Sequence, residues 1–304
     1  MQNLLRLCYE KILLLTSVIF RVYYLAACGL ILTVFSAQAD RFADVQIQET
    51  ALGSNIYMLS GAGGNMATFV AGDEVLLIDS QYAELAEKIR SKVLQLSAGK
   101  PLSRLINTHV HGDHVGSNAA LSAGVDIIAH QNVLIRLQQD GAFPTAGLPT
   151  TTFIEQLRLR MNGMTVRLDA MPASHTDGDV VVWFEEANIV HMGDLLFEGR
   201  FPFIDTSKGG SVKGYINNTR QLINMLNDTT KVIPGHGNLT DKAGVQRSLA
   251  MMEATLAIVN EFKAQGMTEQ QAVDKGLGEQ WKKWHWNFIT EERWIKTLYH
   301  ADVN

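Results

Sequence analysis

The chain has 304 residues, a net charge of −5 and only two cysteines. That length allows one large domain with a substantial core. The acidic balance argues against nucleic-acid binding, which needs clustered Lys and Arg against phosphate. Both cysteines, Cys8 and Cys28, fall within the first 39 residues, so the remainder forms no disulfide and offers no thiolate to a metal or substrate.

In chain order the first feature is a leader. Arg6 and Lys11 sit beside apolar runs over 12–20 and 22–35, split by Arg21, and Ala37-Gln38-Ala39 before Asp40 is a small-x-small cleavage pattern. Residues 1–39 read as a signal peptide and 40–304 as one catalytic domain with a C-terminal helical segment. An uncleaved anchor is the alternative, made costly by Arg21 within the apolar run. Leu25-Ala26-Ala27-Cys28 also resembles a bacterial lipobox. The leader holds three of the 26 Lys and Arg and one of the 31 Asp and Glu, which leaves the rest near −7. The expected location is periplasmic or secreted, with no stable membrane insertion after cleavage. The sequence leaves the oligomeric state unassigned.

The domain then begins with short apolar strands at 56–59, 67–71 and 75–79, separated by glycine turns. Leu85, Ile89, Val93 and Leu96 fall on one helical face over 84–96. Strands follow at 104–107 and 126–130. Residues 138–152 carry Gly141, Pro144, Gly147 and Pro149 and read as a long loop suited to a substrate flap. Further strands are predicted at 164–168, 180–184, 188–192 and 231–233, with helices at 212–226 and 243–265. The C-terminal Trp281, Trp284, Trp286 and Trp294 could line a site, but read first as packing of a terminal helix. Strands followed by helices, twice over, predict an α/β fold of two sheets packed face to face with helices outside.

The chemistry-bearing residues stand at strand ends. His109-Val110-His111-Gly112-Asp113-His114 places three imidazoles and a carboxylate in six positions, directly after the strand at 104–107. These donors suit Zn²⁺ and similar ions. His109 and His111 point the same way on extended backbone, whereas Asp113 and His114 diverge and can serve a second ion. Downstream, His175, Asp194 and His236 each follow a predicted strand. Glycines beside Asp194 and His236 let the backbone turn sharply. His130, His191, His285 and His300 read as structural or exposed.

Asp79, the loop from His109 to His114, His175, Asp194 and His236 together resemble the metallo-β-lactamase fold superfamily over roughly residues 55–240. The resemblance implies a four-layer αβ/βα sandwich with the site at one edge between the sheets. It implies that His109, His111 and His175 hold one metal, that Asp113, His114 and His236 hold the other, and that Asp194 bridges them. Asp79 would orient the ligand loop from behind. The implied cofactors are two Zn²⁺, with Fe or Mn as alternatives. The implied reaction is hydrolysis by water activated on the metals, with Asp113 orienting that water and taking its proton.

Within this superfamily the sequence departs from exported class B β-lactamases. They carry cysteine or serine around Asp194, and the cysteine type has a carboxylate-gripping lysine at the position of Phe197; Lys208 is the one nearby substitute. The stretch THVHGDHVGSN (108–118) is especially similar to glyoxalase II, although the glutathione-gripping motifs are not evident. The expectation is therefore an exported dinuclear zinc hydrolase of a small-molecule ester, lactone, thioester or amide-like bond. The alternatives are a weak class B-like β-lactamase, or a mononuclear iron persulfide dioxygenase-like enzyme using His111, His175 and Asp194. Specificity is expected from the loops 138–152 and 199–210, with Phe143, Phe197, Phe201 and Phe203 as candidate lining.

Overall fold

A computed structural model of the protein describes residues 41–301. The predicted signal peptide lies outside the described residues. The chain divides between Val45 and Gln46, and the fold is that of the second unit. Among the described residues no helix is long and apolar enough to cross a membrane.

The first sheet has seven strands in sequence order. They are β1 (Gln48–Gly53), β2 (Ile56–Ser60), β3 (Met66–Ala71), β4 (Glu74–Ile78), β5 (Arg104–Ile106), β6 (Asp126–His130) and β7 (Thr151–Phe153). Pairing is antiparallel through β4 and parallel from β4 to β7. The second sheet has five strands: β8 (Gln156–Met161), β9 (Met164–Ala170), β10 (Val180–Phe184), β11 (Ile189–His191) and β12 (Lys231–Ile233). It is an antiparallel meander closed by the parallel pair β11–β12.

Alternation along the strands makes the layers. Val180, Val182 and Phe184 of β10 join Leu76 and Ile78 of β4, Ile106 and Ile128 in one core between the sheets. The intervening Val181 and Trp183 face the other way. They pack with Val190, Val232, Leu222 and Val245, and so under the helices Val212–Met225 and Lys242–Ala264. On the first sheet, helix α1 (Ala86–Leu96) buries Ile89 and Val93. Each fully buried side chain of this size contributes about 1.5–3 kcal/mol. The result is the expected four-layer αβ/βα sandwich.

Several elements differ from expectation. β1 reads QETALG, and five of its six residues are exposed, so it carries no alternation to detect. β8 does alternate, with Leu157, Leu159 and Met161 inward, but Gln156, Arg158 and Arg160 hold the outward positions. The supposed flap is also not a flap. Its first two residues end the helix Gln131–Gln139, and its last two open β7. Phe143 and Leu148 pack against Val133 and Leu137, and no residue of 138–152 lines the site cavity.

Candidate metal centre and its cavity

All the site residues predicted from sequence converge at one edge of the sandwich. His109, His111, His175 and Asp194 present donor atoms within 4.8 Å of one another, and Asp113, His114 and His236 form a second such group. Asp194 belongs to the first group and also lies against the second. Its Oδ1 lies 3.1 Å from His114 Nε2, and its Oδ2 lies 3.4 Å from His175 Nε2, 3.5 Å from His236 Nε2 and 3.7 Å from His109 Nε2.

The first sheet supplies the ligand loop and the residue behind it. β4 stops at Ile78, one residue short of the prediction, and Asp79 adopts a left-handed φ of 61°. That conformation is tolerated by Asp better than by most residues. It turns a fully buried carboxylate toward the loop. Asp79 accepts hydrogen bonds from the Thr108 amide (2.8 Å) and hydroxyl (2.7 Å), and its Oδ2 pairs with His114 Nδ1 at 2.7 Å. The Thr108 hydroxyl proton is thereby committed, so its oxygen accepts from His109 Nδ1 at 3.1 Å. One carboxylate thus sets the tautomers of both His109 and His114. Gly112–Val115 is a single helical turn, which swings Asp113 and His114 away from His109 and His111.

The second sheet supplies the rest. His175 donates from Nδ1 to the Phe203 carbonyl at 2.7 Å. Asp194 follows β11 in a tight turn at Gly193–Leu195, where the Tyr215 hydroxyl donates to its carbonyl at 2.8 Å. His236 lies in Pro234-Gly235-His236-Gly237, which Asn65 cradles by donating from Nδ2 to the carbonyls of Pro234 and Gly237. Buried His191 ties these parts together, donating to the Asn65 carbonyl and accepting from the Gly193 amide. Space is tight at the glycines. A Cβ on Gly64 would stand 2.1 Å from His114 Cε1.

Two residues here have no signal in the sequence, and a third has one that favours packing. Asp205 Oδ2 bonds His111 Nε2 at 2.9 Å across 94 positions of chain. Asn65 acts across 169 positions. Trp286, assigned to helix packing, instead lines the cavity with its ring 5.9 Å from His236. Lys208 does not reach the cavity, because its Nζ bonds Asp205 Oδ2 at 2.8 Å. Of the predicted aromatic lining, Phe197 and Phe203 hold, whereas Phe201 and Phe143 pack elsewhere.

The outward nitrogens of four imidazoles are therefore occupied, and their other nitrogens face inward. His109 Nε2, His114 Nε2 and Asp194 Oδ1 are buried without a hydrogen-bond partner. His111 Nδ1 and His175 Nε2 stand 2.7 Å apart, each as the ring nitrogen opposite one already bonded to an acceptor. Neutral rings so held direct lone pairs at each other, which is favourable only with a cation between them. This donor set of nitrogen and carboxylate oxygen fits divalent metal ions.

The electrostatics are those of a crowded buried cluster. Burial holds His109 well below the ordinary imidazole range and brings His175 down to about 4. Burial opposes protonation of His114 and His236 too, but Asp194 with Asp113 outweighs it, raising His114 well above that range and His236 to about 9. Burial would raise Asp113 and Asp194, yet the surrounding imidazoles leave both carboxylates below their usual range.

Above the cluster lies a cavity of about 550 Å³, with Asp113, Asp194 and His236 at its floor. A family model of the metallo-beta-lactamase superfamily matches residues 60–236, from the end of β2 to the last of these histidines. The chain belongs to the metallo-beta-lactamase superfamily. Its resemblance to individual superfamily members is distant. It is 27% identical over 194 residues to the 2,4-dinitroanisole O-demethylase subunit alpha of Nocardioides sp. (strain JS1661), covering 62% of this chain and 57% of that protein. It is 24% identical over 202 residues to a beta-lactamase-like protein 2 homolog of Caenorhabditis elegans, covering 64% of this chain and 59% of that protein. The chain thus spans under two thirds of the length of both. Among solved structures, a metallo-beta-lactamase from Pontibacter korlensis superposes with a TM-score of 0.61 at 18% identity, over 68% of this chain and 99% of its own. That similarity is one of fold.

Proposed function

We propose that the protein is an exported dinuclear zinc hydrolase that cleaves an ester, lactone, thioester or amide-like bond of a small molecule. The observation that carries this reading is the pair of donor groups joined through Asp194, with inward nitrogens freed by outward hydrogen bonds. His109, His111 and His175 would hold one ion, Asp113, His114 and His236 the other, and Asp194 both. When bound, such a pair of ions supplies Lewis-acid polarisation of a carbonyl oxygen and lowers the pKa of bound water. The chain's own residues do the rest. Asp113 Oδ2, at the cavity floor 3.4 Å from His236 Nε2, is placed to orient the attacking water and accept its proton. The proton taken there passes on to the leaving group. Asp79, Thr108 and Asp205 keep the imidazoles in their tautomers, so the site needs little reorganisation during reaction.

The second donor group favours this reading over a mononuclear iron oxygenase, and Phe197 stacked on His236 at 5.0 Å leaves no cation where a cysteine-type β-lactamase carries lysine. Export rests on the leader. The test is metal analysis of the purified protein, followed by turnover of nitrocefin, lactones, thioesters and phosphodiesters. Two zinc ions per chain with acyl-substrate turnover is expected. One iron with oxygen uptake, or turnover of phosphodiesters alone, would overturn the proposal.

A further inference from the structure

One wall of the cavity comes from outside the superfamily stretch. Trp286 and Phe288 lie in the segment between the 3-10 helix Glu279–Trp284 and the terminal helix Glu291–Tyr299, well beyond residue 236. The Trp286 ring is fixed, because its Nε1 donates to the Phe201 carbonyl at 2.9 Å and its amide to the Ile289 carbonyl at 3.2 Å. Its centroid lies 5.9 Å from His236, 6.0 Å from Phe197 and 5.6 Å from Phe288. Phe288 is 48% exposed. An aromatic surface therefore runs from solvent down to the candidate metal centre.

The same cavity holds a cation with no direct ion pair. Arg200 is half-buried, with Cζ 5.1 Å from the Trp286 ring centroid. Among the described residues no carboxylate lies within ion-pair distance of it; the neighbouring Glu198 is turned to Arg247 and acts on Arg200 only at longer range. A partly desolvated guanidinium without a paired counter-ion is costly. Its planar fork matches a carboxylate, sulfonate or phosphate. The cavity volume suits a drug-sized ligand.

We propose that this C-terminal wall sets specificity for small acyl compounds in which a flat aromatic group is joined to an anionic group. The ring lies against Trp286 and Phe288, and the anion meets Arg200. Aromatic rings stack favourably on such surfaces beyond the area they bury. The inference rests on the hydrolase reading for the word acyl, and on the cavity alone for the rest.

Binding calorimetry on the zinc-loaded protein tests it without turnover. The probes are 2-naphthalenesulfonate, methanesulfonate and 2-naphthalenemethanol. The naphthalenesulfonate is expected to bind at least about tenfold tighter than either partial probe. Arg200→Gln should erase its advantage over the alcohol. Phe288→Ala, at an exposed rim position, and Trp286→Ala should each weaken both ring-bearing probes by roughly three- to tenfold while leaving methanesulfonate unchanged. Variants with intact circular dichroism and unaltered dissociation constants would overturn the wall. So would methanesulfonate binding as tightly as the naphthalenesulfonate. If this pattern holds while no acyl substrate is hydrolysed, the reaction falls and the wall stands. Hydrolysis with variant-insensitive binding is the converse.

Discussion

Asp179 shows how burial decides the behaviour of a single residue. It is almost fully buried below the His175 loop, and accepts from the Thr176 amide at 2.9 Å and hydroxyl at 2.6 Å. Burial outweighs those bonds and pushes its carboxyl up to about 8. In the unfolded chain the same group ionises near pH 4. The folded state therefore holds a proton that the unfolded state has lost. This stabilisation is full below about pH 4 and disappears as pH rises through about 8, at up to about 1.4 kcal/mol per pH unit. Asp179→Asn removes the titration, while its amide still offers an acceptor to the Thr176 amide and a donor to the Thr176 hydroxyl. Urea unfolding of the metal-free proteins at pH 5 and pH 8 checks this. The variant is expected to gain on the wild type at the higher pH. Equal changes in both proteins would show that Asp179 is ionised in the fold.

The candidate donors are legible at this scale because their chemistry is local. Three histidines and an aspartate in six positions, or a histidine between two glycines, declare themselves without a fold. Asp205 and Asn65 do not, since each is an ordinary polar residue until folding brings Asp205 beside His111, 94 positions away, and Asn65 against the turn of His236 at Pro234, 169 positions away. Trp286 is not told apart from a packing tryptophan for the same reason. Nothing in its spacing separates it from Trp294, which is fully buried and donates from Nε1 to the Thr255 hydroxyl.

Among elements, the apolar strands were readable because both sheet faces are covered. β10 is buried along its whole length and reads VVVWF. The edge strand β1 has only one buried residue and so no pattern. The helix Gln131–Gln139 buries only Val133 and Leu137, too narrow a stripe to stand out among its polar residues. The turn carrying His236 is the most constrained element of the site. Gly235 donates to the Gly193 carbonyl at 2.7 Å and its carbonyl accepts from Asn65 at 2.7 Å. A Cβ there would stand 2.1 Å from Asp194 Oδ1 and 2.6 Å from the Gly193 carbonyl carbon. Gly235→Ala must push the turn away from Asp194. It is expected to cost about 1–3 kcal/mol, the usual scale for overpacking, and to weaken metal binding as well. Chemical denaturation and zinc titration read the two effects separately. Wild-type zinc affinity in a destabilised variant would show that the turn and Asp194 move together without harm to the site.

At the scale of the whole molecule, the donor groups straddle the sandwich. Asp79 and the four residues from His109 to His114 hang from the first sheet, whereas His175, Asp194 and His236 hang from the second. Each group draws on both sheets, because His175 and Asp194 complete one and His236 the other. Ions bound there would tie the halves together at the edge where the core between the sheets ends. The same ions would offset the repulsion of inward lone pairs and buried carboxylates. Metal should therefore stabilise the fold as well as act in the reaction. For one site at a hundred times its dissociation constant the gain is about 2.7 kcal/mol. In a domain of this size that corresponds to a rise in Tm of roughly 5–10 °C. Stripping the protein with a chelator should lower Tm by at least that amount, and zinc should restore it in a concentration-dependent way. His175→Ala and His236→Ala, one from each group, should each lose part of the response. A Tm indifferent to chelator would mean that the donors hold no metal across the sheets, whatever activity the protein retained.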